Sequence, residues 1–196
     1  LDPVQNNFGV YTYAGQENYT YPANANSYNH YVVYQEGVYL GYKYTETRYE
    51  DVVLGTPNAG HFQYNNVVAY PFGYGLSYTT FAYGNLRITP EPSHTQGSFR
   101  VTCDVTNTGD RRGDEVVQLY VSDKFSSVVT YESVLRGFER VTLEPGETKS
   151  VSFEITPSHL ELLDSNMNRT VEPGEFEIRI GASSEDIRLR KTIRLS

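Results

Sequence analysis

The 196-residue sequence has no tryptophan, one methionine and one cysteine. A lone Cys103 excludes an internal disulfide and leaves the redox compartment open. No apolar run approaches the ~20 residues a membrane helix needs, and no signal peptide opens the chain, so no membrane partner is expected. The chain reads as soluble, cytoplasmic or secreted. Positive charge is scarce too: 16 Lys and Arg against 24 Asp and Glu give a net charge of −8. That balance repels phosphate backbones and argues against nucleic acid as a partner. His30, His61, His94 and His159 are scattered without a His-x-x-x-His or Cys-x-x-Cys partner, so no metal and no cofactor is expected. No serine sits in a nucleophile elbow, and no glycine-rich phosphate loop opens a helix. The start at Leu1-Asp2-Pro3 lacks an initiator methionine and reads as a piece of a longer chain.

What is abundant is tyrosine. Sixteen of the 18 lie before residue 84, which divides the chain into two chemically different parts. Tyrosine has an apolar body and a hydrogen-bonding tip, which suits interfaces and half-wet clefts. Residues 1 to about 30 show little periodicity, and Asn6, Asn7, Asn18, Asn24, Asn26 and Asn29 favour turns. So long an irregular stretch fits a segment draped over a neighbour. Tyr31–Tyr34 and Val38–Tyr44 then read as strands, being β-branched and aromatic. Two strands and a loop supply no independent core. Residues 1–84 are therefore not expected to form a domain alone.

From residue 85 the pattern turns regular. Strand-like runs occur at 85–89, 97–106, 115–122, 134–143, 148–156, 175–181 and 186–195. Asn107-Thr108-Gly109-Asp110, Glu144-Pro145-Gly146-Glu147 and Glu172-Pro173-Gly174-Glu175 are the turn signals between them. Alternation of apolar and charged residues, clean in Val151–Ile155 and Phe176–Ile180, predicts antiparallel sheets with one side in water. Seven short strands at this spacing predict an immunoglobulin-like sandwich that folds alone over 85–196. Its expected core includes Phe99, Val101, Cys103, Leu119, Phe153, Ile155, Phe176, Ile178 and Ile180, with Cys103 a buried structural thiol. The only helical hint is Ser158–Leu163, where Ser158 is placed to cap one turn.

The run Tyr70-Pro71-Phe72-Gly73-Tyr74-Gly75-Leu76-Ser77-Tyr78-Thr79-Thr80-Phe81 alternates glycine with aromatics, which reads as backbone packed close against something. With Glu36–Tyr44 before it, it resembles the junction in family 3 glycoside hydrolases between the α/β sandwich domain and a fibronectin-III-like domain. Val105–Asp110, Gly113–Val121, Leu135–Val141 and Glu172–Ser183 resemble that second domain. The resemblance implies residues 1–84 as the end of the α/β sandwich domain and junction, and 85–196 as the fibronectin-III-like domain. It also implies an enzyme cleaving β-glucosides or β-xylosides with retention, which needs two carboxyl groups roughly 5 Å apart. By the same resemblance those carboxylates lie in a TIM barrel and on an earlier loop. Neither matches here, so no catalytic residue is assigned and the segment alone is expected to be inactive. Its partners would be the remaining barrel and α/β sandwich domains of the same enzyme, and substrate through them. The loop Thr45–Asn66 departs from that pattern by its length. The competing reading is a free-standing carbohydrate- or protein-binding β-sandwich module.

Several residues invite sharper readings. Glu50-Asp51 is the nearest approach to a carboxylate pair, but neighbours on a strand point to opposite faces and cannot straddle one bond. Tyr44, Arg48 and Tyr49 are the candidates for touching sugar, since aromatics stack on sugar faces and Arg donates to hydroxyls; packing against the α/β sandwich is their structural alternative. Arg112-Gly113-Asp114 is an adhesion tripeptide by composition and a solvated turn by context. Asp110, Asp114 and Glu115 lack the regular oxygen spacing of a calcium loop. Asn18-Tyr19-Thr20 and Asn168-Arg169-Thr170 fit the glycosylation acceptor pattern.

Overall fold

The computed structural model describes residues 38–56 and 60–196. The Asn-rich stretch, the strand expected at Tyr31–Tyr34 and the Asn18 acceptor lie outside them. Compact units divide after Leu40, and the architecture below is that of Gly41–Ser196.

Seven long strands form a sandwich of two antiparallel sheets. One sheet has the order β1 (Phe81–Thr89), β2 (Phe99–Asn107) and β5 (Thr148–Ile155). The other runs β4 (Val134–Leu143), β3 (Gly113–Asp123), β8 (Gly174–Gly181) and β9 (Ile187–Leu195). A short 3₁₀ turn, η1 (Pro157–His159), and the two-residue strands β6 (Leu162–Leu163) and β7 (Arg169–Thr170) connect β5 to β8. All nine expected core residues are buried. They alternate with half-buried or exposed positions on β2 and with exposed ones on β5, as the period-two pattern requires. Each large apolar side chain so removed from water contributes roughly 1.5–3 kcal/mol. Burial pushes the Cys103 thiol up to about 11, so it stays protonated and unreactive at neutral pH.

The turns follow from their residues. Between β4 and β5, Gly146 takes φ 76° behind Pro145, and the Glu147 N–H reaches the Glu144 carbonyl at 3.0 Å. Buried Asn107 organises the β2–β3 turn. Its Nδ2 donates to the carbonyls of Arg111 (2.7 Å) and Leu143 (3.0 Å), and its Oδ1 accepts from the Gly109 N–H (3.0 Å) and Thr79 Oγ1 (2.6 Å). The helical hint at Ser158 becomes η1, but the cap is Thr156, whose N–H donates to His159 Nδ1 at 3.0 Å.

The region before β1 corrects the sequence reading. The strand expected through Tyr44 gives way to a 13-residue helix, α1 (Tyr42–Leu54), followed by a single turn, α2 (Tyr64–Val67). Aromatic and β-branched residues suggested a strand, but the backbone groups find internal partners in a helix, and Gly55 ends it at φ 67°. Glu50 and Asp51 therefore follow one another around a helix and are not on opposite faces of a strand.

Candidate functional site

Residues 117–122 of β3 are buried on both faces. In a sandwich open to water on one side, Gln118, Tyr120 and Ser122 would be wet. They are covered by α1 and the junction that follows it. Tyr42 stacks on Phe72 at 4.3 Å between ring centres, meets Tyr120 edge-on at 6.3 Å, and accepts the Leu135 N–H of β4 at 2.9 Å. One turn on, Glu46 Oε1 accepts from Tyr64 Oη (2.6 Å) and Ser184 Oγ (2.9 Å). Thr47 Oγ1 takes the Glu132 N–H at 2.8 Å. Tyr42 and Glu46 stand four residues apart, so one stripe of α1 faces the sheet.

Junction and sheet are tied by Gln118. Its Nε2 donates to the carbonyls of Gly73 (3.0 Å) and Ala182 (2.6 Å), while its Oε1 accepts from Tyr120 Oη at 2.6 Å. The Ser184 N–H adds a bond to the Phe72 carbonyl at 2.8 Å. Gly73, at φ 81°, lies so close to the Gln118 amide that a Cβ would collide with it. Close backbone packing, expected for both glycines of the run, therefore holds at Gly73. Gly75 faces open space.

Buried Arg179 of β8 is the electrostatic centre of this face. It pairs with Glu132 and Glu177, and its Nη2 lies 4.0 Å from Glu50 Oε1. Lys124 adds ion pairs to Glu132 (3.3 Å) and Glu177 (3.6 Å), and Arg190 one to Glu177 (3.1 Å). Burial opposes the Arg179 charge, but Glu132 and Glu177 more than offset it and hold the guanidinium above its usual range. Burial also works against Glu177, and Arg179 overrides it, leaving that carboxyl below the ordinary range. Glu46 goes the other way: burial raises it, against the bonds from Tyr64 and Ser184.

The three candidate sugar contacts all stand on α1, yet they separate. Tyr44 meets Phe62 edge-on at 6.3 Å, and Arg48 lies 5.9 Å from the same ring while pairing with Asp51 at 3.1 Å. Tyr49 turns to Tyr64, 5.1 Å away. Asp51 is held by Arg48 and Thr56, and Glu50 faces Arg179, so the adjacent carboxylates are each engaged differently. In the adhesion tripeptide, Gly113 and Asp114 already belong to β3; Arg112 pairs with Glu144 at 3.2 Å and Asp114 with Arg140. Sequence reasoning missed Glu46, Gln118 and Arg179. The one available signal was a polar residue placed among strand residues whose inner neighbours were already core.

These contacts of Tyr42, Glu46, Thr47, Gln118 and Arg179 clamp α1 and the junction onto the sheet, and beyond this clamp the junction presents apolar surface. Leu76 is 89% exposed, Tyr78 93% and Tyr70 73%. No helix among the described residues is long and apolar enough to cross a membrane.

Residues 115–184 match the fibronectin type III-like domain family. A β-xylosidase of Formosa agariphila is 48% identical over 127 residues, 65% of this chain and 17% of its own length. The periplasmic β-glucosidase of Salmonella typhimurium is 34% identical over 181 residues, 92% of this chain and 23% of its own. The crystal structure of a GH3 β-glucosidase from Bifidobacterium adolescentis superposes with a TM-score of 0.69 at 32% identity, covering 83% of this chain and 21% of that one. The chain thus spans about a fifth of the length of these relatives. Its sandwich is a fibronectin type III-like domain, and the chain belongs with the C-terminal part of the family 3 glycoside hydrolases.

Proposed function

We propose that the chain is the non-catalytic C-terminal portion of a retaining β-glucosidase-like hydrolase, buttressing catalytic domains carried elsewhere in the polypeptide. In this reading residues 1–84 are the end of the α/β sandwich domain with its junction, and 85–196 the fibronectin-III-like domain. The observation that carries it is the exposed apolar surface of the junction, Leu76 and Tyr78 above all, on a chain that spans a fifth of its relatives. Surface of that kind on one continuous segment marks a contact face. Of the three candidate sugar contacts on α1, Tyr44 and Arg48 share the Phe62 side and would rim a substrate cleft together, with Tyr49 set apart against Tyr64. β-Glucosides or β-xylosides would be bound and cleaved through the other domains.

Two measurements test this. The isolated chain should not hydrolyse aryl β-glucosides or β-xylosides, and the amides of residues 70–78 should gain hydrogen-exchange protection when the rest of the polypeptide is fused or added. Turnover by the chain that disappears in Glu50→Gln with Asp51→Asn would overturn the assignment of the chemistry elsewhere. Equal protection of 70–78 in both forms would overturn the buttress.

A further inference from the structure

The clamp leaves open a groove of about 510 Å³ between the junction and one end of the four-stranded sheet. Its junction wall runs from Gly73 to Ser77 and carries Tyr74 and Leu76. The facing wall is Asp114, Glu115 and Val116 of β3 with the β8–β9 turn. Leu76 is almost fully exposed, and Tyr74 and Val116 are exposed too, so the apolar lining has no cover among the described residues. The polar lining is unbalanced. Asp114, Glu115, Glu185 and Asp186 all reach the groove, against Arg188 alone. Asp186 takes Arg188 at 2.7 Å, and Asp114 takes Arg140, which does not line the groove. Glu115 keeps only a 3.9 Å approach to the same Arg188, and exposed Glu185 makes no ion pair among the described residues. Two carboxylates are thus left without a cation of their own.

We propose that this groove receives an arginine side chain, with an apolar neighbour, from the part of the same polypeptide that lies outside this chain. The inference rests on the buttress reading and names the chemistry of the contact. Most of the length of the relatives lies beyond the region they share with this chain, which is where a covering segment has its source. Unmatched carboxylates between low-dielectric walls favour a positive guest. Among the described residues no three acidic, histidine or cysteine side chains are placed to hold a metal ion, so an organic cation is the better complement. A guanidinium fits more closely than an ammonium. It is planar and weakly hydrated, meets carboxylates through two N–H groups, and stacks on aromatic faces such as that of Tyr74. The same wall already uses that chemistry, since Arg188 holds Asp186 while lying 4.6 Å from the centre of the Tyr83 ring. One arginine side chain does not fill a groove of this volume, which leaves room for an apolar neighbour against Leu76 and Val116.

Hydrogen exchange of the whole polypeptide, with this chain alone as the reference, tests the contact. The amides of residues 73–77 and 183–186 should exchange more slowly in the whole polypeptide. Glu185→Gln should cut that protection about threefold and Glu185→Lys about tenfold or more, and about 1 M salt should bring the parent down to the level of Glu185→Gln. The melting temperature of the chain alone should not fall in either variant, which separates a lost contact from a lost fold. Phenylglyoxal, which reacts with free guanidinium groups, identifies the guest: at least one arginine outside this chain should react faster in Glu185→Lys than in the parent. Leu76→Ser distinguishes this contact from the buttress itself. Protection of 73–77 that Leu76→Ser removes, but that Glu185→Lys and salt leave unchanged, overturns the arginine and keeps the buttress. Equal exchange in the whole polypeptide and in the chain alone overturns both. The absence of any newly reactive arginine overturns the proposal too. Protection that appears in the chain alone as its concentration rises would make the occupant a second copy, with the same consequence.

Discussion

Glu46 shows how one buried carboxyl can make the clamp sensitive to pH. Both of its hydrogen bonds fall on Oε1, inside a seam closed by Tyr64 and Ser184. Burial raises its folded-state pKa above the unfolded value. Below the ordinary carboxylate range both states hold the proton and there is no penalty. As pH rises through that range the unfolded chain releases it first, so stability falls until the folded carboxyl ionises too. Glu46→Gln keeps a carbonyl oxygen for both donors and removes the charge. The melting temperature of the variant minus that of the parent should therefore rise from about pH 4 to pH 7. A difference that stays flat across this range would mean the carboxylate is solvated, and the seam is not closed.

At the scale of elements, α1 is held to the sheet by polar bonds more than by an apolar stripe. Tyr42 and Glu46 make its contacts, while Val52, Val53 and Leu54 are exposed. Tyr42→Phe leaves the Leu135 N–H without its acceptor, while the stack on Phe72 survives. It should cost about 1–3 kcal/mol, and exchange of the Leu135 amide should quicken selectively. Unchanged exchange at Leu135 would show that water replaces the phenol freely. The same polarity explains what could be read in the sequence. The seven long strands were legible because Phe99-x-Val101-x-Cys103 and Phe176-x-Ile178-x-Ile180 alternate cleanly, and Pro145-Gly146 marks a turn by its own backbone preferences. α1 was not legible, because hydrophobic periodicity is silent where a helix docks through Glu46, Thr47 and a tyrosine hydroxyl. Gly55, after Asp51-Val52-Val53-Leu54, was the one local sign of a helix end. Of the candidate site, Tyr44, Arg48 and Tyr49 were legible as a cluster in sequence, but the helix turns Tyr49 away from the other two.

The whole molecule raises the question of where the folding unit begins. The sequence places an autonomous sandwich at 85–196, whereas the compact unit starts at Gly41. Cutting at residue 85 removes Phe81–Gly84, which pair with Asp104–Asn107 of β2, and takes Thr79 from Asn107. It also uncovers the outer face of β3 and β8, where Tyr120, Gln118 and Arg179 are buried. Gln118 loses the Gly73 carbonyl and Tyr120 loses the Tyr42 ring. The buried residues from Phe99 to Ile180 all remain, with only the flanking Phe81 and Tyr83 lost from their packing, so the shorter chain should still fold. Re-exposing Tyr120 and losing the packing of the deleted Phe81 against the core forfeits up to roughly 1.5–3 kcal/mol each, a large share of the ~5–15 kcal/mol that holds an ordinary domain. Urea unfolding of 41–196 and 85–196, each extrapolated to water, should therefore differ by several kcal/mol in favour of the longer chain. The two must be compared as free energies, because the shorter chain exposes less surface and has a smaller slope. Equal values would mean that α1 and the junction rest on the sheet without stabilising it. The clamp would then owe its geometry to the further domains proposed to cover Leu76 and Tyr78.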